Sequence, residues 1–299
     1  MGRVSRLSVI VSVYNEESVL DLFREKITPV LEDLPCGWEL IFVNDGSRDA
    51  SPGILSRMAL EDQRIKIVHF SRNYGHEAAM IAGIDYASGD AFICMDADLQ
   101  HPPDCIPDIL AALEDGYEVI TMIRTRNRKA GILKNMASSL FYKILNRISD
   151  VHFDENASDF FAFSAAPAKV LREHFRESSR FLRAYIQDIG FRKTSIAYEA
   201  NERAAGKSKY SLRQLFHFSV QAFISYSDLP LKISLFCGTA AGLVCILMIA
   251  YSIYMKAVYG APSGYSTLIV MICFLFAVLF SLHGDYIIFR TGTGKIWGI

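Results

Sequence analysis

The chain has 299 residues, enough for one large α/β domain and an appendage. Its formal net charge of −1 excludes a whole-molecule electrostatic attraction to nucleic acid. Its mean hydropathy of +0.21, with 51% hydrophobic residues, is high for a soluble enzyme. The apolar excess is gathered near the C-terminus, which implies a soluble part joined to a membrane part.

From residue 7 to residue 122 short apolar runs alternate with helical stretches. The runs are 7–13, 38–43, 64–70, 90–95 and 117–122, and between them lie helix-like segments such as 17–31 and 76–87. This alternation predicts an α/β domain with a mostly parallel sheet covered on both faces. Ligands of such sheets bind at the carboxyl ends of the strands. The N-terminal residues enter the first run directly and lack the apolar core of a signal peptide, so the catalytic part is expected to stay in the cytosol. Six cysteines (Cys36, Cys94, Cys105, Cys237, Cys245 and Cys273) form no C-x-x-C pair. That scatter suits a reducing compartment.

Residues 131–149 place Ile132, Met136, Leu140 and Ile144 on one stripe, with Lys134, Lys143 and Arg147 opposite. This basic amphipathic helix fits either packing on the sheet or lying on a membrane surface. A second amphipathic stretch, 212–226, is expected to be interfacial. Residues 233–255 then carry no charge and are bracketed by Lys232 and Lys256. As a helix they would extend ~35 Å, enough for a ~30 Å hydrocarbon core. A second run begins at 266 and continues past His283 towards Arg290. The expected organisation is a catalytic domain at 1–210, a juxtamembrane segment at 211–231, two membrane helices at about 233–255 and 266–288, and a tail at 290–299. Domain and tail fall on one side of a multi-pass hairpin, and Lys232, Arg290 and Lys295 favour the cytoplasmic side.

Four polar clusters follow these runs or a loop. They are Tyr14-Asn15-Glu16-Glu17, Asn44-Asp45-Gly46-Ser47, Asp96-Ala97-Asp98-Leu99-Gln100 and, after a polar loop, Ser158-Asp159-Phe160. Alternate residues of a strand point to opposite faces, so Asp96 and Asp98 can share one ion only if the strand has just ended and turned. Oxygen ligands of this kind select Mg²⁺ or Mn²⁺ shared with substrate phosphates.

The strings VSVYNEE, FVNDGSRD, SRNYGHEAAMIAGIDYASGD and MDADLQHPP, in this order, resemble family-two glycosyltransferases of the GT-A fold. The later strings SSLFYKILNRIS, NASDF, RFLRAYIQDIGF, ERAAGKSKYSL and SYSDLPLK resemble the polyprenyl-phosphate glycosyltransferases, which include bactoprenol glucosyltransferases and dolichyl-phosphate mannose synthase. The resemblance implies a Rossmann-like GT-A catalytic domain with a C-terminal two-helix hairpin. Its implied reaction is inverting transfer of one hexose-type sugar, from UDP-glucose or a related UDP-sugar, to undecaprenyl or another polyprenyl phosphate for cell-envelope glycosylation. By the same resemblance Tyr14, Glu16 and Asp45 would hold the nucleoside. Asp96, Asp98 and Gln100 would hold Mg²⁺ or Mn²⁺, and Asp159 would be the catalytic carboxylate, with Asp98 acting beside it. Arg124, Lys134, Ser138, Arg203 and Lys209 would contact donor and lipid phosphates.

Phe161 stands where the family usually has Arg, Gln187-Asp188-Ile189 lacks its Trp before Gly190-Phe191, and Asn44 replaces a frequent Asp. His76 is expected to be structural, and Lys207 a surface residue. Expected partners are the nucleotide-sugar, the polyprenyl phosphate and the bilayer, with a second copy of the chain and a flippase for the product as further ones, and no nucleic acid. Competing readings are a GDP-mannose-dependent mannose synthase and a non-catalytic membrane adaptor that binds nucleotide-sugar. A processive synthase would need Q-x-x-R-W and a longer membrane part.

Overall fold

The computed structural model describes residues 3–125, 157–174, 182, 185–186, 189–201, 229–260, 264, 267–276 and 278–279. The chain divides into two compact units, Met1–Asn146 with Val151–Ser211, and Arg147–Asp150 with Leu212–Ile299. In the first unit the strands are β1 (Arg6–Val13), β2 (Gly37–Asn44), β3 (Ile65–His69), β4 (Ala91–Asp96), β5 (Val119–Arg124), β6 (Ala157–Ser164) and β7 (Lys193–Tyr198). The helices are α1 (Leu20–Glu32), α2 (Ser51–Glu61), α3 (His76–Tyr86), α4 (Ile106–Glu114) and α5 (Ala165–His174).

The strands form one sheet in the order β3-β2-β1-β4-β6-β5-β7. All pairings are parallel except those of β6, which runs antiparallel to both β4 and β5. β1, β2 and β4 are buried almost throughout, which is why they read as continuous apolar runs rather than alternating ones. α1 covers one face through Leu20, Phe23, Ile27 and Leu31, a three-and-four spacing that lines one side of a helix. The Phe23 ring meets Phe42 edge-on at 5.9 Å. α3 covers the other face at very close range. A Cβ on Gly83 would lie 2.2 Å from Ile10 Cγ2, so only glycine lets the helix approach β1 this closely. Arg172 of α5 donates to the carbonyls of Ile84 and Ala87 at the end of α3.

The five predicted strands correspond to β1–β5 within two residues at each end. α1 starts at Leu20 rather than residue 17 because Glu17 is used elsewhere. Its amide donates to Asp49 Oδ2, and its carboxylate accepts from the Ala50 amide. Asp159 lies in β6, a strand inside the sheet.

In the second unit α6 spans Leu229–Tyr259. Its portion Phe236–Tyr259 has 24 residues and mean hydropathy 2.0, long and apolar enough to cross a membrane by length and composition. A shorter apolar helix, α7, spans Thr267–Phe276. The remainder of the expected second span, the amphipathic segments 131–149 and 212–226, and the tail 290–299 lie outside the described residues.

One buried charge sits within the sheet. Glu39 of β2 is fully buried and accepts from Ser8 Oγ at 2.6 Å, Lys66 Nζ at 2.5 Å, and the amide and hydroxyl of Ser88 at 2.6 and 2.9 Å. Burial alone would raise its pKa, but these donors outweigh it and hold the carboxyl at about 2. The folded state therefore gains stability from Glu39 above the unfolded value near 4.5 and loses it as pH falls towards 2. Glu39→Gln is expected to lower the unfolding free energy at pH 7 by about 2 kcal/mol. Denaturant unfolding at pH 7 and pH 3 should show that deficit shrinking in acid.

Candidate functional site

The loops after β1 and β2 are laced together by side chains reaching across to backbone. Asn15, in the left-handed region at φ 52°, donates its amide to Ser47 Oγ at 2.9 Å. Its own Oδ1 accepts from the Arg48 amide at 2.8 Å. The Glu16 amide donates to Ser51 Oγ at 3.0 Å, and Asn44 Oδ1 accepts from the Ser47 amide at 3.0 Å. Asparagine tolerates this backbone through its short polar side chain.

Asp45 builds the neighbouring loop. It is buried, and its two oxygens accept from the amides of Tyr74 at 2.7 Å and Gly75 at 3.0 Å. Burial raises its pKa, opposed by those two amides and by His76. Of the three residues expected to hold a nucleoside, Tyr14 and Glu16 sit half-buried at the strand end, while the Asp45 carboxylate is committed to the loop at 74–75. Gly46 is required here: at φ +68° its Cβ would lie 2.4 Å from the Arg72 carbonyl carbon.

The acidic groups converge one strand over. Ser12 of β1 is in register with Asp96 of β4. In the antiparallel pair, Cys94 lies opposite Phe161, where the pairing with β4 ends, and β6 bulges against β5 between Ala157 and Phe161, the stretch that carries Asp159. Asp96 and Asp159 add to the burial that raises the pKa of Cys94 and, with Asp98, oppose the burial that lowers that of His101, so the three carboxylates gather at the end of β4. His76, at the start of α3, has Nδ1 2.6 Å from Ser12 Oγ and 3.6 Å from Asp96 Oδ1. These are partners that the sequence did not disclose.

β4 ends on Asp96 and the chain turns at once, as sharing of an ion by both aspartates requires. Leu99 takes φ 62°, and Asp98, 6% exposed, accepts from the Gln100 amide at 3.0 Å. His101 pins the turn from below. It is 2% exposed, stacks on Phe160 at 5.0 Å and meets Tyr198 edge-on at 6.1 Å. Its Nδ1 accepts from the Asp96 amide at 3.0 Å, so that nitrogen carries no proton. Burial lowers its pKa against the pull of Asp96, Asp98 and Asp159. His101 is therefore neutral, and its 3.9 Å separation from Asp96 Oδ2 is not an ion pair.

Arg124, at the end of β5, donates from Nη2 to Gln100 Oε1 at 3.1 Å. Gln100, expected to be a metal ligand, gives that oxygen to the guanidinium. Among the described residues no three His, Cys, Asp or Glu side chains are grouped to hold an ion. The donor set here, Asp96 and Asp98 on one turn with Arg124 beside it, fits a divalent ion completed by phosphate oxygens and water. Lys134, Ser138, Arg203, Lys207 and Lys209 lie outside the described residues. The sequence reading missed Ser12, His101, Ser51 and Tyr198, and named Ser47 without its partner Asn15. The adjacency of His101 to the D-x-D turn was the one available signal.

The profile of Glycosyl transferase family 2 matches residues 8–175. The uncharacterized glycosyltransferase YkcC of Bacillus subtilis is 33% identical over 96% of this chain and 90% of its own length. The bactoprenol glucosyl transferase of Shigella phage SfV is 32% identical over 94% of this chain and 93% of its own. Among solved structures, a mannosyltransferase from Pyrobaculum calidifontis in complex with GDP-Man and Mn²⁺ aligns with TM-score 0.54 at 16% identity, covering 99% of this chain and 88% of that one. The sheet and its helices have the GT-A fold.

His101→Ala removes a ring packed on Phe160 and the acceptor for the Asp96 amide. It is expected to destabilise the protein by about 3 kcal/mol, measured by denaturant unfolding.

Proposed function

The chain belongs to glycosyl transferase family 2, and on that premise we propose that it transfers one hexose from a nucleotide-sugar to a polyprenyl phosphate at a membrane surface. The near end-to-end similarity to a bactoprenol glucosyl transferase supports undecaprenyl phosphate as acceptor and UDP-glucose as the first donor to test. The observation that carries the reading is the gathering of Asp96, Asp98 and Asp159 at the end of β4.

The leaving group is a nucleoside diphosphate, and its departure develops negative charge. A Mg²⁺ or Mn²⁺ ion held by Asp96 and Asp98 would supply the counter-charge when bound. Arg124 adds a fixed positive charge beside the turn, with Gln100 setting the guanidinium plane. Tyr14 and Glu16, fixed by the clamp to Ser47 and Ser51, form the nucleoside end of the cleft. Asp45 acts there through the backbone at 74–75. Lys134, Ser138, Arg203 and Lys209 are assigned to the phosphates of donor and lipid.

The acceptor phosphate has a second pKa near 6, so at neutral pH it is mostly dianionic and attacks without a base. Asp159 then orients the acceptor or a sugar hydroxyl. Direct attack opposite the leaving group inverts the anomeric centre. The apolar helix α6 serves as membrane anchor. The second span of the hairpin begins at α7, and the catalytic unit faces the cytoplasm.

Asp98→Ala is expected to reduce transfer at least ~10³-fold, and EDTA to abolish it. The assay is incorporation of label from a panel of nucleotide-sugars into extractable lipid by membranes containing the chain. Unchanged turnover in Asp98→Ala would overturn the reading. For Asp159→Asn, an orienting role predicts a loss of about 10²-fold or more that is uniform from pH 6 to pH 9. Recovery at high pH, where the acceptor is wholly dianionic, would instead identify Asp159 as a base.

A further inference from the structure

Two buried hydrogen-bond donors beside this site have no acceptor among the described residues. Tyr198 is 4% exposed, and its hydroxyl is buried without a hydrogen-bond partner. Nε of Arg124 is likewise buried and unpartnered. Native proteins leave few such groups, and each one is unfavourable in the free protein. The two residues are neighbours across the sheet. Arg124 and Tyr198 are directly in register in the parallel β5–β7 pair, so their side chains leave the sheet on the same face, at the edge where the strands end.

Both side chains are held. Arg124 is fixed through Nη2 by Gln100. The Tyr198 ring lies edge-on to Phe160 at 5.6 Å and to His101 at 6.1 Å. Its carbonyl accepts from both the amide and the hydroxyl of Thr125 at 2.9 Å. Phe160 and His101 are the sequence neighbours of Asp159 and Gln100, so the tyrosine packs on residues next to those of the site.

We propose that the Tyr198 hydroxyl is a substrate-binding group, donating with Arg124 Nε to one phosphate oxyanion. A cation would be repelled by the guanidinium, and an apolar ligand would leave both donors unsatisfied. An anion with several acceptor oxygens answers both at once. The inference rests on the transfer reaction proposed above, which brings two such anions to the cleft: the donor diphosphate and the acceptor phosphate.

The test is Tyr198→Phe in the full-length chain in detergent, with Arg124→Lys and the double variant beside it. Removing an unpaired hydroxyl should leave the thermal midpoint unchanged or raised, while KM for one phosphate substrate rises about tenfold. The double variant should lose less than the product of the single losses, on that same KM. If KM for the nucleotide-sugar rises and calorimetry shows weaker UDP binding with Mn²⁺, the anion is the donor diphosphate. If only KM for polyprenyl phosphate rises, it is the acceptor phosphate. Unchanged KM for both overturns the proposal, whether or not the midpoint falls, because the hydroxyl would then serve the fold alone. Should the wild-type chain label no lipid, the transfer reading falls. Calorimetric titration of wild type and Tyr198→Phe with UDP and with inorganic pyrophosphate then decides the subsite, equal affinities for both ligands counting against it.

Discussion

The hydrogen-bonded register between β4 and β6 decides where the chemistry can occur. β6 runs against its neighbours, so its first residues meet the edge at which β1, β4 and β5 end. That reversal brings Asp159 to the end of the sheet at which β4 delivers Asp96. A slip of one residue would carry Asp159 to the opposite face and turn Phe160 out of the core. The packing resists such a slip. Phe160 is held between His101 and Tyr198, and Phe163 stacks on Phe92 at 5.4 Å. The aromatic layer therefore fixes the strand that carries the carboxylate.

The same arrangement concentrates negative charge. Asp96, Asp98 and Asp159 lie near one another, and the histidine closest to the turn does not neutralise them. The Asp96 amide uses the lone pair of His101 Nδ1, and burial opposes protonation of the ring. Cys94, directly beneath, is pushed well above its ordinary pKa by burial and then by Glu77, Asp159 and Asp96, so it stays a neutral thiol. A site that gathers carboxylates while its neighbouring histidine and thiol stay neutral favours an incoming cation together with an anion, rather than either alone.

Much of this was legible in the sequence because burial writes itself into composition. β1, β2 and β4 are covered on both faces, and their unbroken apolar runs located the strand ends and the polar residues beyond them. β6 was not legible in that way. It begins Ala157-Ser158-Asp159, and its pairing depends on partners more than 30 residues away in sequence. β7 alternates exposed and partly buried residues, a weak signal for an edge strand. The roles of Asn15, Ser47, Asp49 and Ser51 were hidden for a different reason. Each bonds to backbone in another loop, and no spacing rule relates residues that only the fold brings together. Asp45 shows the converse. The motif singled it out, and in the fold its carboxylate also accepts from the amides of Tyr74 and Gly75.

An acceptor with a polyprenyl tail imposes its own geometry. The chain cannot draw the lipid far into solution, because each methylene leaving the bilayer is unfavourable by about 0.8 kcal/mol. The phosphate must react near the headgroups. A soluble enzyme would meet it only by collision at that surface. Under the proposed function, a catalytic unit carried on the same polypeptide as a 24-residue apolar segment would remain beside it, and encounter would become a search in two dimensions at raised effective concentration. On this reading the apolar C-terminal region contributes to the rate of lipid encounter, and the sheet edge to the chemistry that follows.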